Sequence, residues 1–218
     1  MHHMFATSFA GQAKPPALLM RRFRRRQQAL FGKPRSRLFL AVVPDAVTSA
    51  RIAETARRLR ISHNLVGKLV RAEHFHINLY GLDGGIDASI AGIESVKERV
   101  SQVVMPAFRV GFDRAQSFKN GALVLRSEAE VIGLEILQQR LCDALDGRPG
   151  KARPFTPYVT LLHDRYRVPE QRVEAIEWTV RELVLVHSVI GRMTHRHLTR
   201  WSLGDASDSD AMQIGRCR

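Results

Sequence analysis

Two short stretches with a period of two constrain this chain more than any other feature. HFHINLYGL sets His74, His76, Asn78 and Tyr80 on one side against Phe75, Ile77, Leu79 and Gly81 on the other, the pattern of a half-buried strand. In the second half of the chain YVTLL repeats it, with Tyr158 and Thr160 on a common face. Each stretch follows a strand-like run and an amphipathic helical stretch, so the two halves present similar events in a similar order.

The flanking patterns fill in the elements. RLFLAVV is a short apolar run that Pro44 and Asp45 end, and Asp45 is placed to cap a helix whose stripe reads Val47, Ala50, Ala53, Ala56 and Leu59. Ile90, Ile93, Val96, Val100 and Val103 predict a second helix stopped by Pro106. AFRVGFDRA and GALVLRS predict two strands about a turn at Lys119 to Gly121. Leu134, Leu137, Leu141 and Leu145 mark a third helix, and DGRPGKARP reads as a loop. IEWTVRELVLVHSVI reads as one long bent strand and HLTRWSL as a short final one. Hairpin-like pairs argue against a purely parallel sheet. The expected fold class is α+β, with two similar lobes of antiparallel-rich sheet and outer helices around a central cleft.

Charge divides the chain unevenly. The formal net charge is +13, and no acidic residue precedes Asp45, whereas Lys14, Arg21, Arg22, Arg24, Arg25, Arg26, Lys33, Arg35 and Arg37 do. Nine of the thirteen excess charges therefore belong to this segment, and the remainder is only mildly basic. Residues 1–35 are expected to be a basic, disordered arm, residues 36–204 the folded domain and residues 205–218 a frayed tail. Three readings of the arm stay open: contact with RNA phosphates, a targeting peptide, or an extension upstream of a later start at Met4 or Met20. The two cysteines, Cys142 and Cys217, have no metal-ligand spacing, and no apolar run is long enough to span a bilayer. A soluble protein of the reducing cytoplasm, with no membrane partner, is expected.

Four segments in order resemble the two-histidine (2H) phosphoesterases, most closely the RNA 2′,3′-cyclic phosphodiesterases also called 2′-5′ RNA ligases. They are RLFLAVVPDAV, EHFHINLYGL, FTPYVTLLHDR and RELVLVHSVIGRMTHRHLTRWSL, and they span about Ser36 to Leu203. That family carries two facing H-x-T/S motifs. The resemblance implies that His76 is one acid/base, that Thr160 donates to phosphate, and that Asn78 stands in for a Thr/Ser donor. Tyr158 departs from the pattern by occupying the second histidine's place; a phenol, titrating near ~10, is an acid but a poor base at neutral pH. No metal and no cofactor is implied, and no Gly-rich phosphate loop is present.

Nearby residues carry weaker signals. His74 shares a face with His76, and Arg165 and Arg167 follow the second motif; all three are candidate RNA contacts, with exposed surface positions as the plain alternative. His163 is an odd number of residues from Tyr158 and is expected on the opposite face. His195 and His197 alternate near the C-terminus and read as a solvated strand that contacts phosphate, rather than as metal ligands; His187 reads as structural. Phe118, Phe155 and Tyr80 are placed to stack on a base or to fill the core, and Trp178 and Trp201 read as core.

The function these residues point to is an RNA-end phosphodiesterase that opens 2′,3′-cyclic phosphates, with 2′-5′ ligation as the family's second activity and phosphate-ended RNA as partner. The alternatives are a weakly or non-catalytic RNA-binding member of the same fold, kept open by Tyr158, and a structural adaptor with a relic cleft. Removing the residues before Ser36 is expected to flatten the salt dependence of RNA binding if the arm contacts phosphates; an unchanged slope in a salt titration eliminates that role.

Overall fold

The computed structural model describes residues 36–82, 90–146, 154–189 and 194–204. The expectations for the arm, the tail and most of the DGRPGKARP loop fall outside these residues, as does Cys217. The unit Ser36–Arg218 is described below.

The elements run β1 (Ser36–Val42), α1 (Ala46–Ser62), a 3-10 turn (Ala72–His74), β2 (Ile77–Gly81), α2 (Ile90–Val100), β3 (Phe108–Ser117), β4 (Ala122–Arg126), α3 (Ile132–Asp146), β5 (Tyr158–His163), β6 (Gln171–Val180), β7 (Glu182–Val189) and β8 (Thr194–Ser202). They build two antiparallel four-stranded sheets, ordered β2-β1-β7-β8 and β5-β4-β3-β6. The stretch IEWTVRELVLVHSVI, expected as one bent strand, is the end of β6 plus β7, which belong to different sheets and are separated by Arg181 alone. IEWTV at the end of β6 and ELVLVHSV of β7 are both rich in β-formers, so composition does not mark the crossing.

One core serves both sheets. Leu38, Leu40 and Val42 of β1 and Leu183 and Leu185 of β7 cluster with Val159 and Leu161 of β5, Phe112 of β3 and Ile176 and Trp178 of β6. The helices cross-brace it. Helix α1 follows a strand of the first sheet yet packs on β5 and β6 of the second, while α3 follows a strand of the second and packs on β2 of the first. Tyr80 Oη donates to Asp146 at the end of α3, and Arg99 of α2 donates to the Leu145 carbonyl at 3.1 Å. Trp178 stacks on Phe112 with centroids 5.4 Å apart, in the core as expected.

Asp45 caps α1 as its position predicts: Oδ1 accepts from Thr48 N at 2.8 Å and Oδ2 from Thr48 Oγ1 at 2.9 Å, an arrangement worth about 1 kcal/mol. The buried face of the helix is nevertheless Thr48, Ser49, Ile52, Thr55, Ala56 and Leu59, and Val47 is 75% exposed. A strict every-third-residue stripe drifts around a helix of 3.6 residues per turn, so the face that packs is the one centred on Ile52. The helix α3 stripe of Leu134, Leu137, Leu141 and Leu145 is buried throughout.

The turn between β3 and β4 requires its glycine. Gly121 has φ +84°, and a Cβ there would lie 2.6 Å from the Asp164 carbonyl oxygen. Replacing it with alanine combines left-handed strain of about 1–2 kcal/mol with a backbone clash. Gly81 on β2 has open space where its Cβ would be. Gly121→Ala is expected to lower the denaturant midpoint markedly, and Gly81→Ala to change stability by no more than about 0.5 kcal/mol.

Candidate active site

The two motif strands are edge strands, and those edges touch: β2 borders the first sheet, β5 borders the second, and they are in contact. The turn preceding β2 reinforces the junction, because Val70 N donates to the Leu161 carbonyl at 2.7 Å. On each strand the apolar alternates enter the shared core: Phe75, Ile77 and Leu79 from the first, Val159 and Leu161 from the second. His76 and Asn78, and likewise Tyr158 and Thr160, are thereby turned to the helix-free faces.

The alternation ends sooner than its sequence implies. Leu40 pairs with Tyr80 whereas Ala41 pairs with Asn78, so Leu79 is bulged and Tyr80 turns to the core, bonded to Asp146 rather than sharing the face of Asn78. His74 lies in the 3-10 turn and not on the strand.

His76 is held from two sides. Its ring lies 5.0 Å from that of Phe39, and its Nδ1 is 2.8 Å from the His74 carbonyl oxygen. A carbonyl only accepts, so neutral His76 carries its proton on Nδ1 and leaves the Nε2 lone pair free. Burial, opposed by the bond to the His74 carbonyl and reinforced by the neighbouring His74 and His197, lowers its pKa below the usual imidazole value. Asn78 is exposed beside Ala41.

Around His76 the chain assembles imidazoles that sequence spacing does not connect. The His195 ring is 5.2 Å from that of His76, edge-on, and 4.5 Å from that of His74; it also meets Phe39 at 6.0 Å. His195 pairs with Ser188 and His197 with Val186, which brings β8 over the same face as Phe39 and Val186. Burial first, and then His76, His74 and His197, lower the His195 pKa to about 4. Arg200 Nη2 donates to His197 Nδ1 at 2.9 Å while its Nη1 donates to Glu182 at 2.6 Å. A guanidinium has no acceptor, so His197 has the opposite tautomer to His76 and presents Nε2–H. Among the described residues no group of three or more His, Cys, Asp or Glu is arranged to hold a metal ion.

The second wall is built from ions. Tyr158 pairs with Arg126, Arg126 with Arg114, and Arg114 with Arg172, a row crossing all four strands of that sheet. Arg114, with its side chain 7% exposed, bonds Glu128 and lies 3.7 Å from Asp113 and 3.8 Å from Glu170. Arg126 reaches Glu170 at 3.3 Å and Arg172 reaches Glu128 at 3.4 Å. Three carboxylates thus offset three guanidiniums. The Tyr158 ring meets Phe118 edge-on at 5.0 Å, and Thr160 pairs with Val124.

Arg165 lies over the Tyr166 ring at 4.8 Å and bonds its hydroxyl. Arg167 donates to the Lys119 carbonyl at 3.1 Å, next to Phe118. His163 is exposed at the end of β5, and His187 pairs with Leu38 and Arg196. Sequence reasoning did not connect His195 and His197 to His76, nor Arg126 and Arg114 to Tyr158. The signal for the first was the His-x-His spacing on a strand; the second needed the strand register.

Comparison with known proteins agrees with this architecture. The model of the 2′-5′ RNA ligase superfamily matches residues 47–191. Escherichia coli LigT in its apo form shares 26% identity at a TM-score of 0.61, covering 79% of this chain and 100% of that one. LigT complexed with 3′-AMP shares 24% at 0.61, covering 78% and 99%, and the TT0787 protein of Thermus thermophilus shares 22% at 0.61 over the same fractions. No curated protein matches the chain. With its two antiparallel sheets, a motif strand at the edge of each and a family match over most of the domain, the chain belongs to the 2′-5′ RNA ligase superfamily, the 2H phosphoesterases.

Proposed function

We propose that the protein is an RNA-end phosphodiesterase that opens 2′,3′-cyclic phosphates, with unequal proton-transfer groups on its two walls. The observation that carries this reading is the contact of His76 Nδ1 with the His74 carbonyl oxygen at 2.8 Å: it favours the Nδ1–H tautomer, in which Nε2 is the base. Tyr158 has the complementary limitation, because a neutral phenol gives a proton more readily than it takes one. The asymmetry that the loss of a histidine introduces therefore matches the two tasks of the reaction.

In the cleft between the walls, His76 Nε2 takes a proton from water as the water oxygen bonds to phosphorus. The bond from phosphorus to the ribose O3′ breaks, and Tyr158 Oη protonates O3′, leaving a 2′-phosphate. The phenolate then regains a proton while the imidazolium releases one, directly or through solvent, so both groups reset. Asn78 Nδ2 and Thr160 Oγ1 donate to the non-bridging oxygens as negative charge builds there. The family match and the phosphate-bearing 3′-AMP held by LigT support a phosphate-ended substrate. A non-catalytic, RNA-binding member is the second reading, favoured by Tyr158 itself.

An oligonucleotide ending in a 2′,3′-cyclic phosphate tests the reading. His76→Ala is expected to reduce turnover by about 10²–10⁴-fold, and Tyr158→Phe by an amount within the same range, with Tyr158→His retaining or raising it. Turnover that survives His76→Ala refutes the assignment, and RNA bound but never cleaved favours the second reading.

The pH profile of kcat/KM supplies a separate check. His76 works as the neutral base, and its pKa is lowered, principally by burial. Activity is expected to persist as pH falls through the usual imidazole value near ~6.5 and to be lost only below it. An acid limb centred at or above that value contradicts the role.

A further inference from the structure

We propose that His195 and His197, with Arg200 behind them and His74 beside them, form a second phosphate subsite that takes the phosphodiester joining the terminal nucleotide to the rest of the RNA. This inference rests on the reading of His76 given above and deepens it by assigning the residues that hold the nucleotide upstream of the terminal one.

The placement of the rings is the first argument. His195 is adjacent to both His76 and His74, so a chain held with its terminal phosphate at His76 meets a further imidazole without leaving this face of the sheet. His195 is half-buried and His197 is exposed, one fixed in the wall and the other accessible at its edge.

Hydrogen-bond chemistry is the second. His197 has its Nδ1 occupied by Arg200, so its free nitrogen is a donor, and donors are what a phosphodiester oxygen requires. Arg200 is itself oriented by Glu182, making a chain from carboxylate to guanidinium to imidazole that fixes this polarity. Burial lowers the pKa values of His195 and His197, which favours the neutral rings that this arrangement of hydrogen bonds requires.

The contrast between the walls is the third. On the Tyr158 wall, Arg114, Arg126 and Arg172 are already matched by Asp113, Glu128 and Glu170, so that row has little to offer another anion. On the imidazole wall the two nearby carboxylates are each bonded to an arginine and not to a ring, Glu182 to Arg200 and Glu73 to Arg71. A phosphodiester is the complement that this wall lacks.

The test compares a 2′,3′-cyclic mononucleotide with a dinucleotide of the same terminal base bearing the same cyclic phosphate, by kcat/KM, and by Kd for any form that binds without turnover. The unaltered protein is expected to favour the dinucleotide by at least about tenfold, and His195→Asn combined with His197→Asn to bring that ratio close to one, mainly through KM. Arg200→Gln, which removes the guanidinium that orients His197 and leaves the contacts of the His195 ring in place, is expected to lower the ratio partway, which guards against a folding defect in the double variant. A ratio near one in the unaltered protein, or an unchanged ratio in the variants, overturns the subsite while leaving the phosphodiesterase reading intact. Failure to cleave or bind either substrate overturns both.

Discussion

The shared apolar core is the constraint on which the rest of the structure depends. Both sheets bury their helix-covered faces in one cluster, with α1 reaching across to the second sheet and α3 to the first. Once Ile77 and Val159 are committed to that cluster, the pleat leaves Asn78 and Tyr158 no choice of side. The chemistry of the two walls is therefore a by-product of packing: the residues between the apolar ones are whatever selection leaves on the opposite face.

The walls solve the cost of grouping polar side chains in different ways. One row of arginines is offset by Asp113 on β3 and by Glu128 and Glu170 in the loops beside it, although Arg114 Nη1 is buried without a hydrogen-bond partner, so the net electrostatic gain is modest. On the other wall burial lowers the pKa values of His76, His195 and His197, and the rings take their order from a backbone carbonyl at one end and a guanidinium at the other. Opposite tautomers on neighbouring rings give that surface both a proton acceptor and a proton donor at neutral pH, from one residue type.

Much of this was legible in the sequence where periodicity is local. Phe75, Ile77, Val159 and Leu161 identify the buried sides of the motif strands, Asp45 its helix cap, and the leucines of α3 their stripe. What escaped depends on register between distant strands. The bulge that turns Tyr80 inward exists only in the pairing of β1 with β2, and the approach of His195 to His76 needs β8 laid against β7 and β7 against β1. The passage between sheets at Arg181 escaped for another reason: IEWTV before it and ELVLVHSV after it are both rich in β-formers, and a turn of one residue leaves no Gly or Pro to mark it.

The position of β1 also sets the timetable of synthesis. Its partners are β2 on one side and β7 on the other, and β7 begins only at Glu182, so a ribosome has made nearly the whole domain before this strand is covered along both edges. The first sheet cannot close while the second is being translated, and its longest-range pairing forms last. A nascent chain of this topology carries an open apolar edge for most of its elongation and, by its high contact order, folds slowly once released.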